Sequence, residues 1–75
     1  MVNLTEEIIK ISTNYLGPAS KTFLERQTKS HMGGIDFSSI TKDKLPELAK
    51  WINISAALLI DKDKATELSQ KIAIL

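Results

Sequence analysis

The sequence of 75 residues contains no cysteine, so neither a disulfide nor a thiolate-bound metal cluster can stabilise the fold. It contains one histidine, His31, which has no partner at the spacing that a metal site or a Ser/His/Asp triad requires. The longest apolar run, residues 56–60, is far too short to span a bilayer. These absences predict a protein with no metal, no cofactor and no membrane segment.

An excess of charge of either sign is also missing. Ten lysines and arginines stand against nine aspartates and glutamates, which gives a net charge of +1 and argues against nucleic acid or an anionic membrane as the main partner. Glu6 and Glu7 interrupt any signal-peptide pattern, and the absence of cysteine suits a reducing compartment. We therefore expect a cytoplasmic protein that forms a single domain over residues 1–75.

Apolar residues recur at steps of three and four residues, and no stretch shows the sustained alternation typical of a β-strand. The pattern predicts an all-α fold of four short helices, at about residues 4–16, 18–32, 43–60 and 62–74. Gly17 and Pro18 separate the first two helices, and Gly33-Gly34 ends the second. In the following loop, Ile35 and Phe37 are expected to anchor the chain to the core.

Polar residues suited to capping precede three of these helices. Asn3 or Thr5 can cap the first, Asp43 the third and Asp61 the fourth, because their side-chain oxygens can accept from free backbone N–H groups.

The third helix, at about residues 43–60, is the central hydrophobic helix around which we expect the others to pack. One apolar stripe predicts its buried face: Leu45, Leu48, Ala49, Ile52, Ala56 and Leu59. A second stripe, formed by Trp51, Ile54 and Leu58, lies off that face. Two interpretations stay open: the other helices cover the second stripe, or it forms a partner interface in a homodimer or with another protein.

Nothing in the sequence forms a catalytic or ligand-binding constellation. His31 is interpreted as a histidine at a helix end, and Asp61-x-Asp63 lacks the glycine and the closing glutamate of a calcium loop. Gly33-Gly34 follows a helix rather than a strand, so it does not predict a phosphate-binding loop. We expect no catalytic residues, and hence no enzyme.

The second helix carries a mildly basic outer face. Lys21, Arg26, Lys29 and His31 lie on it, with Glu25 among them. Small helical domains often bind nucleic acid, so this face is the basis of an alternative function as a nucleic-acid-binding regulator. The acidic residues elsewhere and the long loop between the second and third helices count against that alternative.

Two short motifs carry a resemblance to a known class of proteins. Residues 16–21, LGPASK, together with Leu45-Pro46-Glu47-Leu48 and the apolar helix after it, resemble a small helical module appended to signalling proteins of bacteria and archaea. The resemblance covers the chain from about Tyr15 onward. It implies an accessory or interaction role and assigns no functional residue. The sequence thus predicts a non-enzymatic protein-interaction or oligomerisation module, acting in regulation or signalling.

Overall fold

The computed structural model describes residues 3–75, and the described chain is helical with no β-strand. Its α-helices are α1 (Leu4–Leu16), α2 (Ser20–His31), α3 (Leu45–Ala56) and α4 (Lys62–Ala73). This confirms the predicted all-α class. A 3₁₀ turn at Gly17–Ala19 connects α1 directly to α2 with no loop residue between them, so the continuous helical stretches number three, and the predicted count of four separate helices is not confirmed. The predicted domain also includes residues 1 and 2, which lie outside the described part.

The helices pack as a ring rather than around one of their number. α3 lies mainly against α4 and also against α2, whereas α1 lies against α2 and α4. The core occupies the middle of this ring, where each helix contributes fully buried side chains: Ile8, Leu24, Leu48, Ile52, Leu68 and Ile72. α3 is therefore one of four helical segments around a common core rather than the centre of the fold, because each segment buries one apolar stripe.

The start of each helix shows which capping residues are used. The Asn3 side chain accepts a hydrogen bond from the backbone N–H of Glu6 at 2.8 Å and so caps α1. Asp43 does not cap α3, because it lies in a 3₁₀ turn at Lys42–Lys44, where its carboxylate accepts from the Thr41 hydroxyl. Asp61 does occupy the position before α4, but its side chain makes no capping hydrogen bond.

The third helix is four residues shorter than predicted at its C-terminal end. The N–H groups of Leu58 and Leu59 donate to the carbonyls of Ser55 and Ala56, three residues back instead of four. This tighter turn rotates the chain away from the α-helical period. The predicted stripe is therefore confirmed as far as Ala56, whereas Leu59 leaves it and is 67% exposed.

The loop between α2 and α3 is held to the core by apolar side chains. Phe37 lies in a 3₁₀ turn at Phe37–Ser39 that packs on α1 and α2, and its side chain is buried. Ile35 is half-buried, and Ile40 is buried as well. The prediction of anchors in this loop is confirmed, and the hydroxyl of Thr5 contacts the carbonyls of the same turn.

Several small polar side chains are buried where the helices meet, which the apolar stripes did not predict. The hydroxyl of buried Ser20 lies 2.9 Å from that of exposed Thr13 across the α1–α2 junction, and the hydroxyl of buried Thr28 donates to the carbonyl of Glu25. Ser12 is also buried, and its hydroxyl has no hydrogen-bond partner within the described residues. These side chains fill space between closely packed helices while most of their polar atoms bond within the chain.

A polar cluster joins α1 to α4 at the surface. The Tyr15 hydroxyl donates to the Glu67 carboxylate at 3.0 Å, and Lys64 and Lys71 form ion pairs with the same carboxylate. The Tyr15 hydrogen bond, followed by the charge of Lys64, holds the pKa of Glu67 below its usual value. Because these groups are exposed, we assign the cluster a role in helix register rather than a large share of the stability.

Gly17 determines the corner between α1 and α2. Its φ of 71° and ψ of −152° lie in a region that is essentially restricted to glycine, and its N–H donates to the carbonyl of Thr13. No atom lies within 4 Å of the position that a Cβ would occupy, so a side chain there meets backbone strain and no steric clash.

We therefore expect Gly17→Val to lower the free energy of unfolding by about 1–3 kcal/mol. Urea denaturation monitored by circular dichroism measures this change. Asn14→Val is the control, because Asn14 is exposed within α1 and the same side chain meets no such strain there. Equal losses in the two variants would contradict the role assigned to Gly17.

Candidate protein-interaction site

Three large apolar side chains on α3 and the turn after it are exposed, and we call them the apolar patch. Ile54 is 51% exposed, Leu58 is 85% exposed and Leu59 is 67% exposed. Ile54 points away from the core because it lies about 160–200° around the helix from Ile52 and Ala56, which are buried. Leu58 belongs to the second stripe, off the buried face, whereas Leu59 is exposed because the tight turn after Ala56 carries it away from the buried stripe.

Trp51, the third predicted interface residue, is half-buried at one side of the patch. The ring of His31, at the end of α2, stacks on it with the ring centroids 4.2 Å apart and the planes 11° apart. The ammonium group of Lys50 lies 5.4 Å from the centroid of the indole ring. Trp51 is thus partly covered within the chain, and it fixes the end of α2 against α3. The predicted interface role of Trp51, Ile54 and Leu58 stays a prediction.

A groove of about 530 Å³ lies between α2 and the turn that follows α3. Phe23 of α2 lies on one side of it, and Leu58 and Leu59 lie on the other. Gln27 and Ser55 also line the groove, and the Ser55 hydroxyl donates to the amide oxygen of Gln27 at 2.8 Å. The amide nitrogen of Gln27 donates to the carbonyl of Phe23, so both ends of this buried amide are bonded. The groove is therefore a preformed concave surface of mixed apolar and polar character.

Arg26 is the one arginine, lysine, aspartate or glutamate among the residues that line the groove. Within residues 3–75, Glu67 is the only carboxylate that forms ion pairs, and its partners are Lys64 and Lys71. Arg26 therefore has no carboxylate partner in that part of the chain. Lys21 and Lys29 are exposed on the same helix, and Glu25 is half-buried among them. The groove and its surroundings therefore carry a modest positive charge that favours an acidic group in whatever occupies it.

The structure brings together only some of the residues that the sequence indicated. Leu58 joins the groove, whereas Ile54 and Trp51 are not among its lining residues. His31 lies at the end of α2, as the sequence predicted. Its contact with Trp51 joins residues twenty positions apart, so no local sequence pattern indicates it. Gln27 was not identified as a groove residue from the sequence. The available signal was its position, because it is a polar residue one turn after Phe23 on the inner side of α2.

The residues from 3 to 75 bring no three His, Cys, Asp or Glu side chains close enough to hold a metal ion. No helix in the same part of the chain has the length and apolar character needed to cross a membrane. The groove and the apolar patch can make apolar contacts, next to the hydrogen-bonded side chains of Gln27 and Ser55 and the guanidinium of Arg26. No protein-family model, curated protein or solved structure matches this chain.

Proposed function

We propose that this chain is a non-enzymatic protein-interaction or oligomerisation module that acts in regulation or signalling. The observation that carries the proposal is the apolar patch, in which two leucines and an isoleucine are half or more exposed on neighbouring positions of α3 and its turn. Exposed apolar side chains that cluster in this way are typical of contact surfaces. The interface residues are Ile54 and Leu58, with Trp51 as their partly buried support.

The size of the patch sets the strength of association that we expect. Burying one large aliphatic side chain contributes about 1.5–3 kcal/mol, and the patch offers three that are partly or largely exposed. Association costs roughly 4 kcal/mol or more in lost motional freedom. In a symmetric dimer both copies bury this patch, which doubles the gain, and the surplus over the cost of association supports a weak contact with a dissociation constant of about 10 µM to 1 mM.

The alternative function, nucleic-acid binding through the basic face of α2, has less support. Three cations share that face with Glu25, and the net charge of the chain is only +1. Affinity for a nucleic acid rises with the number of phosphates neutralised, and three cations neutralise few. The apolar patch lies on α3 and its turn, and of the basic face only Arg26 and His31 line the groove beside it.

Ile54→Glu tests the proposal, because it adds a charge to the apolar patch at a position outside the core. We expect the molar mass of the wild type, measured by light scattering, to rise between about 10 µM and about 1 mM. The variant should keep its melting temperature and stay monomeric over the same range. Asn14→Glu, which adds the same charge at an exposed position of α1, should behave as the wild type does.

If the wild type still has the molar mass of one chain at about 1 mM, the chain does not self-associate, and that part of the proposal is wrong. A salt-dependent shift of the chain on duplex DNA, lost when Arg26 and Lys29 are replaced, would instead support the nucleic-acid alternative.

A further inference from the structure

The groove and the most exposed of the large apolar residues lie side by side on one face. Leu58 is 85% exposed, and it forms part of the rim of a groove of about 530 Å³. That volume is within the range of sites that accept ligands or side chains. A protruding apolar side chain therefore stands directly beside a concave surface that can receive one.

A protrusion beside a hollow is self-complementary under two-fold symmetry. When two copies face each other, each protrusion meets the hollow of the other copy, and the contact closes without leaving either unpaired. An open head-to-tail arrangement would leave an empty groove at one end of the assembly and an unpaired Leu58 at the other. The geometry of this face therefore suits a second copy of the chain.

The charges on the two sides of such a contact are also complementary. Arg26 lines the groove and has no carboxylate partner within residues 3–75. Asp61 follows Leu58 by three residues, which limits the separation of their Cα atoms to about 11 Å. Its side chain makes no capping hydrogen bond to α4, so the carboxylate is available to a partner. The next two residues, Lys62 and Asp63, carry opposite charges that cancel, so the net charge of this segment is that of Asp61.

We propose that the partner of this surface is a second copy of the chain, bound with Leu58 of each copy in the groove of the other. In this arrangement the Arg26 guanidinium of each copy faces the Asp61 carboxylate of the other. The inference rests on the proposed function, since it specifies the partner and the register of the same interaction surface.

Exchanging the two charges tests this register. Arg26→Glu and Asp61→Lys should each raise the dissociation constant of the dimer about tenfold or more, because each places like charges opposite one another twice in the dimer. Mixing the two variants should restore the wild-type affinity. Across one half of the mixed dimer the introduced carboxylate then faces the introduced ammonium group, and across the other half the native Arg26 faces the native Asp61.

The mixture distinguishes a contact between copies from one within a copy, because mixing cannot repair a repulsion that lies inside one chain. Lys21→Glu is the control, since Lys21 is exposed on α2 outside the groove lining and should leave dimerisation unchanged. Thermal melting of each variant checks that α4 still forms when Asp61 is changed. Leu58→Ser gives a readout independent of charge: it should weaken the dimer while leaving the melting temperature of the monomer unchanged.

The outcomes separate the two proposals. A wild type that dimerises through Ile54 but shows no recovery in the mixture, and no weakening in Leu58→Ser, would overturn this register and leave the proposed function standing. A wild type that stays monomeric overturns both self-association and the register. Recovery in the mixture, together with weakening in Leu58→Ser, supports the register.

Discussion

Replacing Phe37 by alanine is expected to lower the free energy of unfolding by about 3–5 kcal/mol. The side chain is only 3% exposed, and it belongs to a 3₁₀ turn that packs on both α1 and α2. Its removal leaves a cavity in the core and releases the loop that links α2 to α3. For a chain of this length the total free energy of unfolding is about 4–11 kcal/mol, so the loss is a large fraction of the whole.

Urea denaturation followed by circular dichroism measures the effect. Ile35→Ala is the matched control, because Ile35 lies in the same loop but is only half-buried, and its loss should be clearly smaller. A Phe37→Ala variant as stable as Ile35→Ala would show that the loop is not anchored by its aromatic side chain.

Ile52→Ala is the second change with a large expected effect, a loss of about 2–5 kcal/mol. Ile52 is fully buried in the middle of the helical ring, where truncation removes packing contacts and leaves a cavity. Ile54→Ala makes the same chemical change two residues later on the same helix, at a side chain that is 51% exposed. In the monomer that variant should change the free energy of unfolding by less than about 1 kcal/mol.

The pair is measured by urea denaturation at low micromolar concentration, where a weak dimer is dissociated. Equal losses for the two isoleucines would mean that Ile54 is core, and the surface on which the proposed function rests would then be absent. A large loss for Ile52 alone supports the assignment of the two faces of α3.

The sequence by itself determined the parts of this protein that depend on local chemistry. Gly17 and Pro18 end one helix and begin the next because of their own backbone preferences, and the structure places the corner there with φ positive at Gly17. The inner stripe of α3 follows from the helical period, which fixes the side on which Leu45, Leu48 and Ile52 lie. The all-α class follows from the same periodicity, repeated along the chain.

The end of α3 could not be predicted from the apolar pattern. Residues 57–60 are as apolar as those before them, so periodicity continues the helix to Ile60. In the fold, hydrogen bonds from Leu58 and Leu59 to carbonyls three residues back turn the chain toward α4. The residue at which α3 ends depends on where α4 must begin in order to pack on α3, and no local sequence pattern contains that information.

Only the tertiary structure decided the content of the candidate site. The stacking of His31 on Trp51 and the hydrogen bond from Ser55 to Gln27 join residues that are distant in sequence. The groove lies between α2 and the turn after α3, two segments that are more than twenty residues apart in sequence. A one-dimensional pattern gives the face of each helix that is apolar, but the spaces between helices depend on how their axes are placed, and that is set by the packing of the whole core at once.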